Sequence, residues 1–165
     1  MTNPSTALKL FQNDVLENKI PLQRGQVDSN LFVCCDEPNG RLRFNYMRIE
    51  RQIITAFVMF VSVNPIDGIP CFNIGYAVPE KCQKQGRAKE VVNTAISEMQ
   101  TGFGLAGVVS LYIEAIVETS NIASQKVAAH TLSLEPKSII DQFSNLPALQ
   151  YIRKVNFNPK HNSCD

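Results

Sequence analysis

Ile74-Gly75-Tyr76-Ala77-Val78-Pro79-Glu80, followed closely by Gln83-Lys84-Gln85-Gly86-Arg87-Ala88, is the stretch on which the fold turns. Its first part closes a strand running from Cys71 to Val78. Its second part opens a helix from Arg87 to Gln100, where Ala88, Val91, Val92, Ala95, Ile96 and Met99 recur at the spacing of one helical face. Such a stripe belongs to a helix laid on a sheet. The joint between the two elements carries Lys81, Lys84, Arg87 and Lys89, a local excess of positive charge, and Gly86, which tolerates positive φ and close approach of a ligand. A helix N-terminus presents unpaired N–H groups and partial positive charge, which suits a phosphate or pyrophosphate. An ordinary solvated helix start would show the same letters. A Walker loop is excluded, because GxxxxGK[ST] is missing.

Downstream, Val108 to Val117 reads as an aliphatic strand, Asn121 to Thr131 as a short helix, and Leu149 to Phe157 as a last strand. Ser138 to Phe143 reads as an extra helical turn before it. Upstream, Thr6 to Lys19 places Leu8, Phe11, Val15 and Leu16 at helical spacing. Leu31 to Cys35 and Leu42 to Glu50 read as strands joined at Pro38-Asn39-Gly40. Gln52 to Val63 is a further β-rich run, turned by Asn64-Pro65 and Asp67-Gly68 into the Cys71 strand. The expected class is α+β: a single domain over 1–165, built as a mixed β-sheet with an antiparallel meander followed by strand, helix, strand, helix. Gly102-Phe103-Gly104-Leu105-Ala106-Gly107 spells GxGxxG, but it leaves a helix and enters a strand, the reverse of a dinucleotide fingerprint. It is expected to be a helix cap and loop.

Composition narrows the function. The 165 residues are 44% apolar and 19% charged, enough for a core and too few charges for a disordered chain. Lys+Arg at 16 against Asp+Glu at 15 leaves a net charge of +1, without the basic excess of a nucleic-acid binder. Cys34, Cys35, Cys71, Cys82 and Cys164 are odd in number and lack CxxC spacing, which argues against a disulfide framework; with His130 and His161 the only histidines, no metal site is expected. The first residues lack a signal-peptide pattern, and the apolar run Ile53 to Val63 is about half a membrane span. A cytoplasmic protein without membrane contact is expected.

The quoted residues resemble the acetyl-CoA-binding segment of the GNAT N-acetyltransferases. Gln83, Gly86 and Ala88 satisfy that family's Q/R-x-x-G-x-G/A signature, and Glu114-Ala115-Ile116-Val117 followed by Asn121-Ile122-Ala123-Ser124 is similar to its E-A-x-V strand and N-x-x-S helix start. The second form is that of the ribosomal-protein N-terminal acetyltransferases, and order and spacing agree over about 72–131. The resemblance implies an acetyl-CoA-dependent transfer of an acetyl group to a primary amine, on a small molecule or a peptide N-terminus, without a metal. Tyr76, Ala77 and Val78 would pair with the pantetheine arm, the amides of Gln83, Lys84, Gln85, Gly86, Arg87 and Ala88 would hold the pyrophosphate, and Asn121 and Ser124 would meet the pantetheine. Asn121 is equally a good helix N-cap. A homodimer is open to such a chain.

Acetyl transfer needs the acceptor amine neutral, and a lysine-like amine has a pKa near ~10. The family likeness implies that a backbone N–H around Tyr76 stabilises the oxyanion, which makes Tyr76 a catalytic candidate. For the base, Ser110, Tyr112, Glu114 and Glu118 share one face of their strand. Glu114 is the candidate, against an ordinary ion pair or a solvated carboxylate; Glu118, at the strand end, is weaker. Many GNAT enzymes carry a tyrosine seven residues beyond the Asn; here that position is Ala128. His130 lies close to it and reads as a surface or packing residue. The 132–165 segment departs from the family pattern. A GNAT-like module that binds acyl-CoA without catalysis is therefore the alternative.

Overall fold

A computed structural model describes residues 3–157, so His161 and Cys164 lie outside the described residues. Helix α1 spans Pro4–Leu16; its Asn3 cap accepts hydrogen bonds from the Ser5 and Thr6 amides, with Pro4 at the first helical position. Strands β1 (Gln23–Arg24), β2 (Leu31–Asp36), β3 (Arg43–Glu50), β4 (Ile53–Ile66) and β5 (Ile69–Ala77) follow, each antiparallel to the last. Helix α2 (Arg87–Leu105) crosses to β6 (Ser110–Glu118), which is parallel to β5. Helix α3 (Ile122–Thr131), β7 (Lys137–Ile140) and β8 (Pro147–Asn156) complete one sheet of order β1-β2-β3-β4-β5-β6-β8-β7. The meander and the mixed α+β sheet are as the sequence predicts.

The sheet has two buried faces. Val91, Val92, Ala95, Ile96 and Met99 of α2, with Ala128 of α3, pack on Val58, Phe60, Ile74, Leu111 and Ile113. Ala7, Leu8 and Phe11 of α1 cover Met47, Phe57, Met59 and Ala77 on the other side. The alternation of β6 sends Leu111, Ile113, Ala115 and Val117 into the α2–α3 side and Glu114 to the opposite face.

Three expectations are corrected. Gly102 and Gly104 are not loop: α2 continues to Leu105. The reason is tertiary, since Phe103 packs against Phe44, Phe72 and Phe157 with ring centroids 5.5, 5.8 and 6.4 Å away. That burial offsets a helical glycine cost of about 1 kcal/mol each. The C-cap falls instead at Ala106, followed by Gly107 at φ 79°. Second, β4 runs through Asn64-Pro65 to Ile66, the proline sitting where the ladder is interrupted between Val63 and Ile66. The turn is Asp67-Gly68 alone, at φ 51° and 75°, the two positive values that a tight hairpin turn requires. Third, residues 138–143 are no helical turn: Ser138 to Ile140 belong to β7. The apparent turn beyond is Asp141, whose carboxylate accepts from the Phe143 and Ser144 amides.

Candidate functional site

Strands β5 and β6 are hydrogen-bonded over only three residue pairs, Cys71–Tyr112, Phe72–Ile113 and Asn73–Glu114. Beyond Asn73 they part, although β5 stays paired to β4 as far as Ala77 and β6 to β8 as far as Glu118. The gap opens into a cleft of about 890 Å³. Its walls are Ile74 to Val78 on one side and Ala115 to Glu118 on the other, with Asn121, Ser124 and Val127 of α3 above and Gly86 to Lys89 of α2 at the mouth.

The mouth is a helix start with free amides. The first helical bond of α2 runs from the Glu90 amide to the Gly86 carbonyl, which leaves the amides of Arg87, Ala88 and Lys89 without a helical acceptor. Gly86 stands at φ 76°, and a Cβ built there would meet nothing within 4 Å, so its outer side is open to a ligand. Lys84 also adopts a left-handed conformation, at φ 58°, uncommon for a residue with a side chain. Lys84, Arg87, Lys89 and Lys126 line the cleft.

Of the residues singled out in the sequence, Tyr76, Ala77, Val78, Gln83, Lys84, Gly86, Arg87, Ala88, Asn121 and Ser124 all line this cleft. Gln85 does not; its side chain reaches the Lys81 carbonyl and accepts from Arg87. Arg87 itself is paired with Glu50 at the end of β3. Gln83 donates to the Val78 carbonyl at 3.1 Å, closing the turn between β5 and α2. Asn121 caps α3, accepting from the Ser124 amide at 3.1 Å. The Tyr76 hydroxyl donates to the Ser124 carbonyl at 2.7 Å, tying the β5 wall to α3. Burial is the main cause that pushes this phenol up to about 12. Ala128 is fully buried and His130 is exposed on α3.

Glu114 lies at the closed end of the gap rather than on the cleft wall, in the last bonded pair before the strands part. Its carboxylate accepts from Asn73 Nδ2 at 3.0 Å and from Gln150 Nε2 at 2.9 Å. Glu118 is exposed at the open end. Asn3, Pro4 and Ser5 at the start of α1, together with Cys82 and Lys126, were not legible as cleft residues. Asn3-Pro4 signals a helix start, but nothing in the letters says which wall that start meets.

Among the described residues no group of His, Cys, Asp and Glu could hold a metal ion, and no helix is long and apolar enough to cross a membrane.

No protein-family model matches the chain, and no curated protein sequence matches it. Solved structures do. A structure of RimL, the ribosomal L7/L12 α-N-protein acetyltransferase, aligns with 83% of this chain and 97% of its own, at 14% identity and a TM-score of 0.57. The ribosomal-protein-S5-alanine acetyltransferase of Vibrio fischeri aligns over 74% of this chain and 65% of its own, at 17% identity and TM-score 0.52, so the match spans just under two thirds of that enzyme. A chain of the NatC complex, solved with Gag peptide and CoA, gives 18% identity, 68% and 71% coverage and TM-score 0.54. The fold is that of the GNAT acetyltransferases. Within the GNAT fold, the parted strands and the α2 N-terminus of this chain form one continuous cleft.

Proposed function

We propose that the chain, acting as one unit over 1–165, is an acetyl-CoA-dependent N-acetyltransferase whose acceptor is a primary amine of a small molecule or a peptide N-terminus. The observation that carries this reading is the gap between β5 and β6, which runs without a break from the Asn73–Glu114 pair to the Gly86 turn. From Val78 back to Ile74 the β5 edge spans about 13 Å at the usual strand rise. A thin arm anchored by its pyrophosphate on the Gly86–Lys89 amides would pair along Tyr76, Ala77 and Val78 as an added strand. Its thioester end would then lie deep in the gap, toward Glu114.

The substrate supplies an activated acetyl group. The chain's own residues orient it, exclude water through Ile74, Ala115 and Val117, and take the proton. The amine nitrogen attacks the thioester carbonyl carbon, the C–S bond breaks, and the electron pair leaves with sulfur as a thiolate. Glu114, directly or through one water, accepts the amine proton. Backbone N–H groups near Tyr76 face the oxygen that gains charge. The thiolate leaves without a dedicated acid, since thiols have pKa near ~8.5. Reaction in the cytoplasm is consistent with the free Cys34, Cys35, Cys71 and Cys82.

A second reading, acyl-CoA binding without turnover, draws on Ala128, which is buried and offers no proton donor. Calorimetry with CoA and a CoA-release assay across amines and N-terminal peptides separate the two. Binding with turnover of one acceptor class is expected. Binding without turnover of any acceptor would favour the second reading, and no binding would overturn both.

A further inference from the structure

We infer that Asn73 and Gln150 are positioning residues for Glu114, holding its carboxylate as an oriented proton acceptor at the closed end of the gap; this rests on the reading of Glu114 as the base. Asn73, Glu114 and Gln150 come from β5, β6 and β8, three neighbouring strands, and all project from the face opposite α2 and α3. Each carboxylate oxygen receives one amide N–H, Oε1 from Asn73 and Oε2 from Gln150. That fixes the plane of the group while leaving about two of its roughly four lone-pair sites free.

The other carboxylates that bind side chains or amides here are held differently. Asp36 is paired with Arg43, Asp28 and Glu90 with Arg48, and Glu50 with Arg87. Glu98 is enclosed by the backbone amides of Gln26, Val27 and Asp28, Asp141 accepts from the Phe143 and Ser144 amides and the Ser144 hydroxyl, and Glu17 is paired with Lys19. Glu114 alone among these has neutral side-chain donors only, and no described lysine, arginine or histidine forms an ion pair with it. A guanidinium partner would occupy both oxygens and disfavour proton uptake strongly. Two amides orient the group without placing a positive charge against it.

The titratable neighbours do not replace a cation. From β5, Cys71 is a buried thiol, kept neutral by burial and by the charge of Glu114. From β6, Tyr112 and the exposed Glu118 share the face of Glu114. From β8, Lys154 sits over the Tyr112 ring, 5.6 Å from its centroid. Arg43, two strands beyond Asn73, is committed to Asp36.

The test uses Asn73→Leu and Gln150→Met, which keep approximate shape and remove the donors. kcat and KM are measured with the best acceptor amine, beside the carbon NMR resonance of the Glu114 carboxyl, assigned through Glu114→Gln. Each donor fixes one carboxylate oxygen, so its loss should move that resonance at fixed pH while KM for the amine stays within about twofold. kcat should fall about tenfold through lost orientation, with CoA affinity by calorimetry unchanged. Asn73→Ala and Gln150→Ala serve if a bulkier variant fails to fold. Variants that move the carboxyl resonance but leave kcat in place would overturn the positioning role while sparing Glu114. Full activity of Glu114→Gln, or no turnover by the parent chain, would overturn the base assignment and this inference with it.

Discussion

Gly86 and Glu114 mark the two ends of the cleft, and each makes a separate demand. At Gly86 the backbone is left-handed and its outer side open. Valine there would strain the turn by about 1–2 kcal/mol and put methyl groups where a pyrophosphate would lie. Gly86→Val is expected to lose CoA binding by more than about a hundredfold, read by calorimetry; undiminished affinity would remove the pyrophosphate from this turn. As the proposed base, Glu114 must be ionised to accept a proton, so the pH–rate profile should carry an acidic limb. Glu114→Gln should lower kcat by roughly 100- to 10,000-fold and flatten that acidic limb with acetyl-CoA affinity preserved. A variant with near-normal turnover and the same profile would make Glu114 structural. The letters around Gly86 were legible because glycine, lysines and a helix start stand together in the sequence. The partners of Glu114 were not, since Asn73 and Gln150 come from strands 41 and 36 residues away and only the register brings them in.

Helix α2 joins the cleft mouth to the outer strands. Its stripe of apolar residues was legible because every member is local. Its charged residues were not. Glu98, one of the few buried polar side chains, accepts from the Gln26, Val27 and Asp28 amides at 2.9, 2.8 and 2.9 Å. Gly25 is required beside it, since a Cβ there would approach Glu98 Oε1 to 2.3 Å and the Asp28 carbonyl to 2.6 Å. Glu98→Ala leaves those three amides without their acceptor and opens a void, and should cost about 2–4 kcal/mol. Chemical denaturation would read this, and a loss under 1 kcal/mol would mean the 25–30 loop is held by Asp28 and Arg48 instead. The short β7 and the far end of α2 escaped a local reading for the same reason: packing of Phe103 and pairing with β8 decide them, and neither partner is nearby in sequence.

For the whole molecule, acid and thiol chemistry follow from burial and pairing. Asp36 titrates below the usual aspartate range, chiefly through its hydrogen bonds with Arg43, and Asp28 does so through the Asn30 amide and Arg48. Their stabilisation is complete above the unfolded value near ~3.9 and is lost as pH falls through the lower folded values. The melting temperature should therefore hold level from neutral pH to about 5 and drop below about 4, with Arg43→Met reducing the drop; an unchanged acid limb in that variant would exclude the Asp36 pair as its source. Burial pushes the Cys34 and Cys71 thiols up to about 11 and about 12. They should react slowly in the native protein, whereas all five cysteines of the chain should titrate as free thiols in denaturant without reductant. A stoichiometric bridge would contradict that.

The parting of β5 from β6 also divides the ladder of the sheet. Five strands lie on one side of it and three on the other, and three residue pairs join the halves like the stitched corner of an otherwise open seam. Both edges of that seam are interior ones, screened by helices from the edge-to-edge association that threatens an exposed strand. Only something slender can reach them. A polypeptide would have to bring its side chains in as well, whereas an unbranched arm bearing amides can supply rungs to the Tyr76 side and remain clear of the Ala115–Val117 side. On the proposed reading the seam would filter what enters by girth before any polar group is read. Whatever fills it should close the two halves into a single unit for hydrogen exchange, slowing amides on both sides of the opening together.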